Sequence, residues 1–137
     1  MGKVWQGIAS RISRTMGSAV SAMKLLEVFS LSAYADKYTR WKMFVDLSGV
    51  RYQLYISWNT RMENWYMTIL DVNDRILLGG LRLVPNVLLF EKYRASVPEL
   101  PIGDLVIFDR EGKVEADEIT RRNLGTRFDL SYVISGE

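Results

Sequence analysis

The segment from residue 50 to residue 90 constrains the fold most, because its side chains alternate between apolar and polar around short turn signals. In its first part every second residue is large and apolar: Tyr52, Leu54, Ile56 and Trp58. An alternation of period two places these residues on one face of an extended strand, which is typical of a strand with one face buried. Residues 59–61 interrupt the pattern, and a second alternating run starts at Trp65. The segment therefore predicts consecutive β-hairpins.

The pattern extends beyond this segment. The predicted strands cover residues 43–47, 50–58, 65–71, 76–83, 87–93, 105–109 and 127–134. Turn residues separate several of them, at Ser48-Gly49, at Asn73-Asp74 and at residues 110–113. Such closely spaced short strands predict a mainly β fold, a small β-barrel or sandwich. Gly79-Gly80 falls inside a predicted strand, and we interpret it as a bulge or bend rather than a phosphate loop.

The first 31 residues have a different period. Large apolar residues recur every three or four positions: Trp5, Ile8, Ile12, Met16, Val20 and Met23. This spacing predicts a long N-terminal α-helix with one apolar stripe, and we expect those six residues to contact other proteins. Gly7 and Gly17 weaken an isolated helix, so a partner is expected to order it. Two alternatives stay open: a helix folded back on its own domain and a helix lying on a membrane surface.

The change of period divides the chain into three parts. Residues 1–31 are predicted to be an amphipathic docking helix, residues 32–41 a polar connector, and residues 42–137 the β-barrel or sandwich domain. The chain length of 137 residues suits one domain with a single core. No apolar run approaches the roughly 20 residues that a transmembrane helix requires. We therefore expect no stable membrane insertion.

One local group combines two tryptophans with turn residues. We expect Trp58 and Trp65 to fill the core while Asn59 sets the turn between their strands. Arg61 has two interpretations: it hydrogen-bonds exposed carbonyl groups, or it faces a neighbouring protein, since arginine is enriched among residues that dominate interfaces.

The composition argues against an enzyme. The chain contains neither cysteine nor histidine, which excludes thiol nucleophiles, imidazole acid–base chemistry and Cys/His zinc sites. Glu63, Asp71 and Asp74 lie at or near predicted turns, where solvated carboxylates are the simplest interpretation. We therefore predict no catalytic residues, no cofactor and no metal.

Several motifs resemble those of the baseplate plug family of contractile-tailed phages. They are YISWNTR with a tryptophan a few residues later, a GG step, and LVPN before an apolar run; the resemblance covers residues 44–90 and returns in NLGTRFDLSYV at residues 123–133. It implies a structural subunit that plugs the distal end of the tail tube at the central hub, above the spike. It also implies several copies, a trimer or hexamer, that contact the hub, spike, tube-end or tape-measure protein. The expected location is the virion, after synthesis in the host cytoplasm.

A rival hypothesis is an OB-like β-barrel that binds single-stranded nucleic acid or a small ligand. Basic and aromatic residues alternate at Arg51, Tyr55, Arg61 and Tyr66, a pattern that suits base stacking and phosphate contact. The net charge of +2 is too small for a strong electrostatic footprint. We therefore expect no nucleic-acid partner.

Overall fold

The computed structural model describes residues 23–113 and 118–135, which form two antiparallel β-sheets. The elements, in chain order, are β1 (Met23–Phe29), α1 (Ser32–Ala35), β2 (Arg40–Leu47), β3 (Val50–Asn59), β4 (Asn64–Leu70), β5 (Ile76–Arg82), a 3₁₀ turn (Glu91–Tyr93), β6 (Asp104–Asp109) and β7 (Phe128–Ser135). Sheet A has the strand order β1-β7-β6, and sheet B has the order β2-β3-β4-β5. The mainly β fold predicted from the sequence is confirmed. No helix among these residues is long and apolar enough to cross a membrane.

Sheet B is a run of hairpins whose inner face follows the predicted alternation. Cross-strand pairs such as Leu54 with Ile69 and Ile56 with Met67 place apolar side chains on one face. The buried inner positions are Trp41, Val45, Leu47, Tyr52, Leu54, Ile56, Trp65, Met67, Ile69 and Leu81. They pack against the inner residues of sheet A in one core.

The turns of sheet B have the residues that their backbone conformations require. Ser48 and Gly49 both have positive φ values, 54° and 81°, which suits a two-residue hairpin turn.

In the β4–β5 pair the register shifts between Met67 and Ile69, opposite Gly79-Gly80. Gly80 has a φ of 67°, and its N–H donates to Thr68 Oγ1 at 3.2 Å. The predicted bulge is confirmed.

Sheet A is buried on both faces along β6 and β7. Leu105, Ile107 and Leu130 face the common core, whereas Val106 and Val133 lie on the opposite face and are also buried. A parallel bridge between Pro85 and Ile107 links the chain after β5 to β6. The two sheets therefore share an apolar interior and are joined by backbone pairing.

Three buried aspartates, each paired with an arginine, join distant parts of the chain around sheet A. Asp129 accepts hydrogen bonds from the Leu31 N–H at 3.0 Å and from Arg110 Nε at 2.8 Å. Asp109 binds Arg127 Nη2 at 2.8 Å across the β6–β7 hairpin.

The third aspartate, Asp104, accepts the Phe90 N–H at 2.9 Å and lies 3.4 Å from Arg94. Burial raises the pKa of Asp104 and Asp129, whereas the hydrogen bond from Arg127 lowers that of Asp109.

The predicted N-terminal helix is wrong where the structure describes it. Residues 23–29 form β1, which pairs antiparallel with β7 from Met23 opposite Ser135 to Phe29 opposite Leu130. An apolar pattern over only seven residues fits either a strand or a helix. Here the strand forms because its backbone pairs with the open edge of β7. The rest of the predicted helix, residues 1–22, lies outside the described residues. The three-part division of the chain stays a prediction.

The strand predicted over residues 87–93 is also wrong. Pro85 has no N–H to donate, and Asn86 has a φ of 65°, so a regular strand cannot continue from β5. The Asn86 and Leu89 N–H groups instead donate to the carbonyls of Ile107 and Leu105, and a 3₁₀ turn follows at Glu91–Tyr93. Leu89 and Phe90 of this segment are buried without forming a strand.

Candidate interaction surfaces

One end of the β domain holds the β2–β3 turn, the β4–β5 turn and the loop before β6. We call this end the loop end and define it by four exposed residues, Val50, Val72, Ile76 and Ile102. The Tyr132 hydroxyl joins two of these loops, since it lies 2.7 Å from Ser48 Oγ and accepts the Gly103 N–H at 2.8 Å. The turn of sheet B and the loop of sheet A are therefore held side by side.

A second contact point joins the β4–β5 turn to the loop before β6. Arg75 Nη2 lies 3.0 Å from Glu99 Oε2, and the Tyr52 hydroxyl donates to the Glu99 carbonyl at 3.1 Å. Burial, with a smaller contribution from Tyr132, raises the pKa of the Tyr52 hydroxyl, so this donor keeps its proton at neutral pH. These bonds fix the relative positions of the loops.

The four residues that define the loop end are large, aliphatic and exposed. The exposed fractions are 51% for Val50, 53% for Val72, 63% for Ile76 and 82% for Ile102. Single exposed apolar residues are common on protein surfaces, whereas a group of them on loops tied by hydrogen bonds is typical of a contact surface. The loop end thus presents four exposed aliphatic side chains on or beside loops that hydrogen bonds hold together.

Charged residues lie beside the four exposed aliphatic residues of the loop end. Asp74 accepts a hydrogen bond from Gln53 Nε2 at 2.8 Å and pairs with Lys42 at 3.4 Å. The Gln53 hydrogen bond, followed by the charge of Lys42, holds the pKa of Asp74 below its ordinary value. Asp71 caps its own turn by accepting the N–H groups of Asn73 and Arg75 at 2.9 and 3.0 Å. These carboxylates serve turn structure at the surface.

The three residues predicted to form the core and its turn differ in burial. Trp65 is fully buried, and its Nε1 donates to the Thr120 carbonyl at 3.0 Å. Trp58 is half-buried and meets Trp65 edge to face, with 5.4 Å between ring centroids. Asn59 is exposed, and its side-chain oxygen accepts the Met62 N–H at 3.0 Å within the turn.

The predicted contact residues do not form one group in the described structure. Arg61 is exposed in the β3–β4 turn. Met23 is half-buried in β1 and belongs to an apolar cluster with Phe108. The other stripe residues lie outside the described residues: Trp5, Ile8, Ile12, Met16 and Val20. Their assignment to protein contacts remains a prediction.

The residues on which the nucleic-acid hypothesis depends lie largely on the outer face of sheet B. Arg51, Tyr55 and Tyr66 share this face, since Tyr55 pairs with Thr68 and Tyr66 with Ser57. The Arg51 guanidinium lies over the Phe44 ring at 4.6 Å. One of its basic side chains therefore already covers an aromatic ring of the same face.

A groove lies between α1 and the turn before β7. Its volume is about 830 Å³, and Ser32, Asp36, Arg121 and Arg122 contribute to its lining. Arg121 donates to the Ala35 and Tyr38 carbonyls and stacks on the Trp65 ring at 5.2 Å. Arg121 therefore serves the fold. Within residues 23–113 and 118–135 no group of three or more acidic side chains is placed to hold a metal ion.

The loop end was missed by sequence reasoning. Its residues lie in or beside three separate loops, which the Tyr132 and Glu99 contacts join. The one available signal was Ile102, which lies between Pro101 and Gly103 in a segment with no strand period. One such residue does not by itself identify a contact, because single exposed apolar residues are common.

Comparison with known proteins identifies the family of the chain. A family model described as "Cyanophage baseplate Pam3 plug gp18" matches residues 29–135. The match contains β2 to β7 and both motif regions on which the resemblance rested, so that resemblance is confirmed. No curated protein matched the chain. The chain belongs to the cyanophage baseplate plug family, and its role is that of a structural component of the phage tail baseplate.

Proposed function

We propose that this chain closes the distal end of a phage tail tube at the central hub, above the spike. The observation that carries the proposal is the family match over residues 29–135, because it takes in almost the whole described β domain. A plug performs mechanical work by filling space and binding its neighbours. A rigid β domain with an ordered apolar end suits that task.

The loop end is proposed as the surface that docks on another baseplate protein. Apolar burial stabilises a contact by roughly 25 cal/mol per Å², so exposed Ile76 and Ile102 are suited to the centre of such a contact. Arg75 and Glu99, already paired at 3.0 Å, are suited to its polar rim. The candidate partners are the hub, the spike, the tube-end protein and the tape-measure protein.

The N-terminal stripe is proposed as a second contact that joins copies of the chain. Residues 1–22 contain Trp5, Ile8, Ile12, Met16 and Val20. A helix over these residues would bury the stripe against neighbouring copies, giving a trimer or hexamer around the tube axis. The protein would be made in the host cytoplasm before it joins the tail.

Copurification tests the proposed function against the nucleic-acid rival. The full chain, carrying an affinity tag, would be expressed together with the other tail proteins of its phage. We expect baseplate proteins to remain bound at about 0.5 M salt, because apolar contacts are little affected by screening. Copurified nucleic acid that dissociates at that salt, with no tail protein retained, would contradict the proposal.

A further inference from the structure

We propose that β2 is a docking edge for β2 of a second copy of this chain, with the two strands antiparallel across a two-fold axis. β2 is the outermost strand of sheet B, and in the described part of the chain it pairs with β3 alone. The inference goes beyond the proposed function and does not rest on it, since the pairing holds or fails in the isolated protein.

The edge of β2 that faces away from β3 carries outward backbone groups. The Trp58 N–H donates to the Thr39 carbonyl at 2.7 Å, which sets the phase of the β2–β3 ladder. Because hydrogen-bonded residues alternate along an antiparallel strand, the odd-numbered residues of β2 bond to β3 and the even-numbered ones turn their N–H and C=O groups outward. The outward residues are Arg40, Lys42, Phe44 and Asp46. Such an edge is a template for a further strand.

Two residues of opposite charge at the two ends of this edge have no charged partner of their own. Arg40 and Asp46 are both exposed, and within residues 23–113 and 118–135 neither side chain forms an ion pair or a hydrogen bond. Asp46 lies opposite Arg51, but the Arg51 guanidinium covers the Phe44 ring at 4.6 Å. The remaining cation of the strand, Lys42, is paired with an aspartate at 3.4 Å. The outer face of β2 therefore presents one unpaired positive and one unpaired negative charge.

A two-fold axis at Met43 brings these charges together. In that register Arg40 of each copy lies opposite Asp46 of the other, and Lys42 lies opposite Phe44, whose ring attracts a cation. The paired residues are the ones whose N–H and C=O groups point outward, so about eight backbone hydrogen bonds form between the copies. Charge complementarity and the phase of the backbone groups thus select the same register.

The neighbouring registers and the other edge of sheet B fit less well. Moving the axis to Lys42 places two lysines opposite each other, which is unfavourable. Moving it to Phe44 places Arg40 opposite Ser48, where the strand has ended at a residue with a φ of 54°. β5, the other edge strand of sheet B, is interrupted by the bulge at Gly79-Gly80. A regular ladder between two copies therefore requires β2.

The contact is small, so we expect a reversible dimer. It uses about seven residues from each copy, whereas a standard interface uses roughly 20–30 from each partner. We expect a dissociation constant of roughly 10–100 µM, because backbone pairing must offset the entropy lost on association. A two-fold contact closes with two copies. It is therefore a contact of its own, separate from the N-terminal stripe and from the loop end.

Light scattering of the full-length protein over a range of concentrations tests the pairing. Arg40→Asp places like charges opposite each other twice in each dimer, so we expect the dissociation constant to rise at least about tenfold. At a concentration where the parent protein is paired, the mass of this variant should fall to half. Arg82→Asp, an exposed arginine on the outer face of β5, is the matched control and should leave the mass unchanged. Equal masses for Arg40→Asp and the parent protein would overturn the inference.

A charge exchange tests the register. Asp46→Arg alone should weaken the pairing as Arg40→Asp does, whereas the double variant Arg40→Asp with Asp46→Arg restores opposite charges and should return the dissociation constant to within about threefold of the parent value. Circular dichroism establishes that each variant is folded, which we expect because both positions are exposed. A double variant that associates no better than the single ones would overturn the inference.

The measurements separate this pairing from the proposed function. Whatever assembly the N-terminal stripe forms, loss of a two-fold contact halves the mass relative to the parent protein. A mass that halves with Arg82→Asp instead would assign the contact to β5 and overturn the inference. Failure here leaves copurification with tail proteins unaffected, so the two proposals fail separately.

Discussion

The hydroxyl groups of Ser48 and Tyr132 lie 2.7 Å apart and join the β2–β3 turn to the central strand of sheet A. The same tyrosine oxygen accepts the buried Gly103 N–H at 2.8 Å. One side chain thus fixes a turn of sheet B and the loop that carries Ile102. The Tyr132 hydroxyl therefore links two of the loops at the loop end.

Tyr132→Phe should lower the free energy of unfolding by about 1–2 kcal/mol, because it leaves the buried Gly103 N–H without an acceptor. The ring stays in the core, so the loss reports on the hydrogen bonds alone. Urea denaturation measures it, with Tyr38→Phe at an exposed position as the control expected to change little. Equal stability of Tyr132→Phe and the parent protein would show that the hydroxyl is dispensable.

Two glycines with positive φ allow the cost of backbone strain to be measured separately from the cost of a steric clash. Gly125 has a φ of 89°, and a Cβ there would lie 2.7 Å from the Ser32 nitrogen. Gly49 has a φ of 81° with open space around it. We expect Gly49→Ala to cost about 1 kcal/mol for the left-handed conformation and Gly125→Ala about 3 kcal/mol or more, because the backbone of α1 must also move. Thermal or urea unfolding that gives equal losses would contradict the close packing of residues 31–32 on the β7 turn.

The Asp109–Arg127 pair predicts a loss of stability in acid. The hydrogen bond from Arg127 lowers the pKa of Asp109 in the folded protein, so its contribution is complete above the unfolded value of about 3.9 and disappears as the pH falls through the folded value. Asp109→Asn should lower stability at neutral pH by about 2 kcal/mol, because it removes hydrogen bonds between charged groups, and should remove this part of the acid dependence. Urea midpoints measured from pH 7 to pH 2.5 test it.

Asp129→Asn is the control, because Asp129 contributes to the pH dependence of stability with the opposite sign to Asp109. Burial raises the pKa of Asp129 in the folded protein, so the folded state gains a proton before the unfolded state and this group favours folding as the pH falls toward about 4. Replacing it should flatten the pH dependence above pH 4 and leave the dependence below pH 4 in place. Identical pH profiles for the two variants would refute the assignment of both carboxylates.

Ile102→Asp should block incorporation into tails while leaving the protein folded. Ile102 is 82% exposed, so a charge there meets water in the free protein but would be buried without a partner in a contact. Met62→Asp, at the β3–β4 turn, is the matched exposed control and should assemble normally. Quantification of the protein in purified tails measures the effect, and equal incorporation of both variants would remove the loop end from the proposed contacts.

Sequence reasoning was most successful for sheet B. Its strands alternate over seven to ten residues and end at turns with glycine, asparagine or aspartate, so local signals agree with the final pairing. The sequence also predicts the bulge at Gly79-Gly80, because glycine inside an alternating strand often marks a bulge or a bend.

The errors occur where tertiary contacts decide between local alternatives. Residues 23–29 fall inside the helix predicted over residues 1–31, but the free edge of β7 pairs with them as a strand. The ion pair between Asp109 and Arg127 was not predicted, because it depends on the register of β6 against β7. The sequence does not predict the loop end, because the contacts of Tyr132 and Glu99 that join its loops link residues far apart in the chain.

The position of the chain in the tail tests the central claim most directly. Cryo-electron microscopy of purified tails from the phage that encodes this chain would show whether its two-sheet β domain lies on the tube axis at the distal end. The account predicts density for several copies closing the tube above the spike, with the loop ends in contact with another baseplate protein. A chain absent from the tail, or present only at the periphery of the baseplate, would contradict the proposed plug.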